Sequence, residues 1–279
     1  MALLFFGLTY LAIRFGNLDN LKPETRLDKI LMFVGIFIML HIILFIHELG
    51  HLITGLVQGF RFDLFVVGLL GVKREEDGIK CYLNKDLNYY GGVAATSPKG
   101  NEEANAKKFA FILLAGPIAS IVFAIICLFS ASHFPPPYGI SIFIGGIMSL
   151  AIFLATTVPE KTGMFFTDRK RFQRLVSPGK DQKVELALLR IMGQYAQDHS
   201  YQNIELSDID LLISDETPFI RSSGLFNKIC WQIEHHGVED DETKVRYHEQ
   251  AQSMPKKVAE LLEKEIEKYR AKFSDSNYE

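Results

Sequence analysis

Residues Ile30–Ile46, ILMFVGIFIMLHIILFI, run straight into His47-Glu48-Leu49-Gly50-His51. The apolar run is long enough for a membrane helix, and its character resumes with Leu52, Ile53, Leu56 and Val57. On a helix, positions 47 and 51 lie one turn and about 40° apart, so both imidazoles reach one metal ion. Glu48 follows His47 directly, which sets its carboxylate beside that ion as a general base. Two histidines and a glutamate at membrane depth are costly without a task, so a chance match is the weaker reading. The motif helix is expected from about Lys29 to Gln58.

The rest of the 279-residue chain separates by charge. Up to Lys180 there are 18 Lys+Arg against 13 Asp+Glu, net +5; from Asp181 onward there are 12 against 20, net −8, and the two sum to the formal −3. Neither part carries the basic stripe of a nucleic-acid binder, so the apolar segments point to the lipid bilayer as partner and nucleic acid is not expected. The chain reads as a membrane-embedded domain over 1–178 and a soluble helical domain over 179–279. Cys81, Cys127 and Cys230 are far apart, show no CxxC or Cys/His spacing, and read as free thiols. The apolar N-terminus lacks the basic start and small-residue cleavage site of a signal peptide.

Outward from the motif, Met1–Phe15 is short for a span and is expected to cross as a tilted helix with Arg14 at the interface. Phe62–Val67 and Ile79–Leu83 read as strands of a hairpin-like insertion, and Tyr89-Tyr90-Gly91-Gly92-Val93-Ala94 as a further short strand. Phe109–Phe129 and Ile140–Val158 are spans; Pro117 is expected to kink the first, and Pro159 ends the second. Small residues in Ala115–Ser120 allow a neighbouring helix close approach. The loop between these spans has no Lys or Arg, whereas the flanking segments have many. The positive-inside rule therefore puts the basic segments and the acidic tail in the cytoplasm. The fold class is membrane all-α with a small β-hairpin insertion: about four transmembrane helices plus a cytosolic helical C-terminal domain.

In the tail, Glu185–Ala196 is apolar-periodic, Pro255 fits the opening of a final helix, and Val258, Leu261, Leu262, Ile266 and Tyr269 follow 3–4 spacing along it. His235 and His236 read as a surface or capping pair, and His41 as a hydrogen-bonding partner of a neighbouring helix. Two histidines are one ligand short of a catalytic zinc site. Both Asp168 and Glu160, just past the last span, lie at the right depth, and the residues alone leave the choice open.

HELGH on a membrane helix, Gly91-Gly92-Val93 in a short strand, Ala115-Gly-Pro-Ile-Ala-Ser120 on the next helix, and a Pro-then-Asp segment after the last together resemble the site-2 protease family of intramembrane metalloproteases. The resemblance covers roughly Leu31 to Phe172. It implies a zinc metalloendopeptidase acting in or next to a membrane segment of a membrane-anchored protein or peptide, with His47, His51 and Asp168 as zinc ligands and Glu48 as the catalytic carboxylate. A strand edge near Gly91-Gly92-Val93 is suited to hold an unwound substrate segment by strand addition, a plain turn being the alternative reading of the Gly pair, and Thr156 and Thr157 are further candidate substrate-binding residues. This chain departs from the family pattern: Thr156 stands for an Asn, Asp168 comes nine residues after Pro159, and Arg169 stands for a Gly. These departures leave a catalytically degenerate membrane scaffold as the alternative.

Overall fold

The computed structural model describes residues 21–75, 77–162, 165–254 and 256–274; the expected span Met1–Phe15 and the helix opening at Pro255 lie outside them. The described chain forms two compact units. The first comprises the chain up to Thr96, Lys108–Glu160 and Thr167–Phe172; the second comprises Ser97–Lys107, Lys161–Phe166 and Gln173–Glu279.

The first unit is built on α1 (Arg26–Val57), α2 (Asn105–Ser130) and α3 (Tyr138–Thr157). Each of these helices, α2 with its short 3-10 extension to His133, is long and apolar enough to cross a membrane. Helix α1 starts three residues before the expected Lys29. Thr25 and Asp28 form a reciprocal capping box, the Thr25 hydroxyl accepting from the Asp28 amide at 3.1 Å and the Asp28 carboxylate from the Thr25 amide at 2.9 Å. Glycines fix the helix spacing. A Cβ at Gly35 would lie 2.5 Å from Ser141 Oγ, one at Gly145 2.3 Å from the Met39 methyl, and one at Gly50 2.7 Å from the Ala115 carbonyl. Small residues thus bring α1 against both α2 and α3, which in lipid is the main source of helix association. Met39, Ile43 and Cys127 are buried at the centre, with Phe123, Ile142, Met148 and Ile152 around them.

Between α1 and α2 the expected hairpin is a four-stranded sheet, in the order β3-β2-β1-β4, of β1 (Arg61–Val67), β2 (Leu70–Glu75), β3 (Gly78–Leu83) and β4 (Val93–Ser97). β1 and β2 pair antiparallel with Leu64 opposite Lys73 and Val67 opposite Leu70; β2 and β3 pair with Leu70 opposite Leu83. Phe62, Phe65 and Val67 are buried and pack with Leu44 and Leu52 of α1, Val72 and Ala94, and Phe65 meets Phe45 edge-on at 5.4 Å. The sheet therefore lies along the apolar flank of the motif helix. Tyr90-Gly91 is a turn after a 3-10 segment (Leu87–Tyr89), and the strand starts only at Val93. The expected strand is shorter because Gly92 has φ +105°, a conformation outside the β region.

In the second unit, α5 (Lys180–Asp198), α6 (Leu206–Ile213), α7 (Pro218–His236), α8 (Asp241–Ala251) and α9 (Lys256–Ser274) surround a core that includes Val184, Ile209, Leu212, Leu225, Ile229, Ile233 and Tyr247. The last helix buries Ile266 and Tyr269 as its spacing predicts, but Leu261 is 59% exposed and stands off the apolar stripe. Arg174, near the end of α4 (Asp168–Val176), is buried between Glu185 at 3.0 Å and Asp215 at 2.6 Å. Trp231 donates to the Ile204 carbonyl at 3.1 Å, and His235 stacks on it with ring centroids 4.0 Å apart. His235 also bonds through Nδ1 to the Trp231 carbonyl at 2.9 Å, and His236 is exposed.

Candidate metal centre

The helical spacing of the motif puts the rings of His47 and His51 5.0 Å apart and nearly perpendicular, both buried at 5% and 9% exposure. Each Nδ1 is already engaged. His47 Nδ1 lies 2.9 Å from Ser120 Oγ, and His51 Nδ1 lies 2.7 Å from the Ile112 carbonyl. Because a carbonyl only accepts, the His51 proton sits on Nδ1 and leaves the Nε2 lone pair for a ligand. Ile112, Gly116 and Ser120 repeat every four residues, forming one stripe on α2 that meets the His47–His51 stripe on α1. Gly116 completes the seat: a Cβ there would lie 2.2 Å from His51 Nε2. Pro117, inside α2, has no amide and interrupts the helical ladder in the turn that carries the Ile112 carbonyl.

Asp168 reaches this pair through its Oδ2, 3.4 Å from His47 Nε2 and 3.4 Å from His51 Nε2. Its nine-residue distance from Pro159 is absorbed by a hairpin of β5 (Lys161–Thr162) and β6 (Phe165–Phe166). The Thr167 amide donates to the Glu160 carbonyl at 3.0 Å, and the Thr167 hydroxyl donates to the Val158 carbonyl at 2.8 Å, so the chain returns to the end of α3 before Asp168 begins. Thr167 also caps α4, its carbonyl accepting from the Arg171 amide at 3.0 Å. Glu160, the rival carboxylate, is exposed.

These residues fit a metal ion. The ligand atoms of His47, His51 and Asp168 all lie within 4.8 Å of one another. Two donors at about 2.0–2.1 Å from a tetrahedral ion stand about 3.4 Å apart, the separation seen for both His–Asp pairs. Asp168 Oδ2 is buried and has no hydrogen-bond partner among the described residues, a costly state for a carboxylate unless a cation completes it. Burial pushes the Asp168 carboxyl up, but protonated imidazoles at His47 and His51 outweigh it and take it below the ordinary carboxylate value; a cation held between neutral imidazoles would act in the same direction.

The carboxylate of Glu48 lies under the turn before β4. A Cβ on Gly92 would be 2.8 Å from both Glu48 Cγ and Oε1, and the backbone of Ala94 stands next to the carboxylate. Gly91 has open space where a side chain would be, and Val93 opens β4 half-buried. The Thr156 and Thr157 hydroxyls turn back on their own helix, donating to the Ile152 carbonyl at 3.1 Å and the Phe153 carbonyl at 2.7 Å. His41 bonds through Nδ1 to the Phe37 carbonyl of its own helix at 2.9 Å, not to the neighbouring helix expected from the sequence, and lies edge-on to Tyr90 at 6.1 Å. It therefore supports the turn that leads to Gly92.

A family model for peptidase family M50 matches residues 35–273. The chain belongs to peptidase family M50. This is the site-2 protease family, so the chain is a membrane metalloprotease by family, and M50 enzymes use zinc. The M50 match continues past Phe172, where the recognisable motifs end, through most of the helical second unit. No curated protein and no solved structure matches the chain. Sequence reasoning missed Thr167 as the cap that sets Asp168, and it gave Ser120 only a packing role. The four-residue repeat Ile112-Gly116-Ser120, matched to the His47–His51 spacing, is the signal that would have found the latter.

Proposed function

We propose that the chain is an intramembrane zinc endopeptidase that hydrolyses a peptide bond in or next to a membrane segment of a protein or peptide substrate. The observation that carries this reading is the convergence of two imidazoles and one hydrogen-bond-deficient carboxylate beside Glu48. His47, His51 and Asp168 hold the ion, which supplies Lewis-acid polarisation of a carbonyl and acidifies water. Glu48 accepts the proton from the attacking water and returns it to the leaving amine. Gly91, Gly92 and Val93 receive the unwound substrate segment along β4, where Gly91 leaves open space and the missing side chain at Gly92 lets this turn close on Glu48. Thr156 and Thr157 border that path from the end of α3. The protein is proposed to be multi-pass in the cell membrane, with the protease domain over 1–178 and the helical domain over 179–279 in the cytoplasm.

The test is Glu48→Gln in the full chain, compared with wild type by membrane proteomics and by zinc content. The variant is expected to keep its zinc, because the ligands are intact, and to accumulate an uncleaved membrane-anchored partner. Wild-type cleavage in this variant, or a wild type that processes no membrane partner, would overturn the reading.

A further inference from the structure

The two histidines are held by different chemistry. His51 Nδ1 faces a backbone carbonyl, which can only accept, so its tautomer is fixed by α2 whatever the site contains. His47 Nδ1 faces the hydroxyl of Ser120, which can donate or accept. Ser120 is fully buried, and its own carbonyl accepts a 2.8 Å hydrogen bond from Ser149 Oγ on α3, also fully buried. Ser149 thus ties the α2 turn carrying Ser120 to α3.

We infer that Ser120 is a positioning residue for the metal centre: as acceptor for the His47 Nδ1–H it holds the ring with Nε2 turned to the ion and stabilises the tautomer that ligates. In the opposite arrangement the hydroxyl donates to Nδ1, the ring proton moves to Nε2, and His47 cannot ligate. The inference rests on the proposed function for the identity of the ligands, and it gives a role to the last residue of the Ala115–Ser120 stretch beyond helix packing. An imidazole ligand whose other nitrogen has lost its partner binds metal about 10–100-fold more weakly. Ser120→Ala leaves that N–H unpaired in a dry site, and Ser120→Thr restores a hydroxyl.

The experiment measures zinc affinity of the purified full chain by chelator competition, together with the ligand-field absorption of the cobalt-loaded protein, for wild type, Ser120→Ala, Ser120→Thr, Ser149→Ala and Asp168→Ala. Thermal unfolding of each variant checks that it is folded. Ser120→Ala is expected to lose about 10–100-fold in affinity and to shift the cobalt bands, while Ser120→Thr stays near wild type. Ser149→Ala loosens the same helix contact without touching Oγ and is expected to keep wild-type affinity. Wild-type affinity in Ser120→Ala overturns the inference alone. So does equal loss in Ser120→Ala, Ser120→Thr and Ser149→Ala, which is the signature of packing. A wild type that binds no ion, or keeps it in Asp168→Ala, overturns the proposed function as well.

Discussion

Asp168 and Glu160 are eight residues apart, yet their side chains meet different surroundings. Asp168 is beside both imidazoles with an unsatisfied buried oxygen, whereas Glu160 is exposed. Zinc per purified chain after mild chelation and dialysis separates them. Asp168→Ala is expected to lose the ion, with an affinity drop beyond the roughly 10–100-fold of an outer hydrogen-bond partner. Glu160→Ala is expected to retain it, since an exposed carboxylate near a helix end contributes little. Gly116→Ala makes a second prediction of the same kind. Its Cβ would stand 2.2 Å from His51 Nε2, so the imidazole must move, and the variant is expected to be as metal-poor as His51→Ala. Retention of zinc by Gly116→Ala would show that His51 ligates from another position.

Among the elements, α4 to α7 enclose an ionic cluster with a definite pH response. Burial tends to raise the Asp215 carboxyl, but the Thr217 hydroxyl and amide and the Arg174 guanidinium outweigh it and hold it below its ordinary value of 3.8. A carboxyl depressed in the folded state contributes stability above its unfolded pKa and loses that contribution as pH falls through the folded value. The helical unit is therefore expected to weaken in acid below about pH 4. Asp215→Ala leaves Arg174 paired with Glu185 and Asp181 but removes the charge-assisted bonds from Arg174 and the Thr217 amide, so it is expected to cost about 1.5–3 kcal/mol at neutral pH and to flatten the acid transition. The chain has one tryptophan, Trp231, in this unit, so its fluorescence during denaturant titration of the full chain reads the effect directly. An unchanged midpoint in Asp215→Ala would remove the cluster from the stability account.

For the whole molecule the open quantity is orientation. Phe60–Lys108 and the segment after Pro159 are rich in Lys and Arg, while the 131–137 connection has none. A reporter fused after Glu279 is expected to be active only as a cytoplasmic reporter, and one inserted among Pro135–Pro137 only as an external one. The reverse pattern would move the metal centre to the opposite face of the membrane. Orientation also decides which side of the bilayer a substrate must present, because His47 and His51 lie in the second half of α1.

What the sequence determined by itself was local. His47 and His51 share a helix face because the helix period is a property of consecutive residues, and Ile30–Ile46 makes that helix apolar enough for a membrane. The capping box at Thr25 and Asp28 and the apolar stripe of the last helix are equally local, although Leu261 shows that periodicity does not say how wide the buried stripe is. What only the tertiary structure decided involves residues whose distance in the chain says nothing about their distance in space. Asp168 joins the histidines because the 161–166 hairpin returns the chain to Glu160, cancelling a spacing that looked too long. Ser120 and Ile112 reach the two Nδ1 atoms because Gly50, Ala115 and Gly116 let α1 and α2 approach closely, and Gly92 rests on Glu48 because β4 pairs with β1 across the intervening strands. Helical spacing follows from the geometry of one segment; the proposed third ligand and the groups that contact the two histidines follow from how separate segments pack.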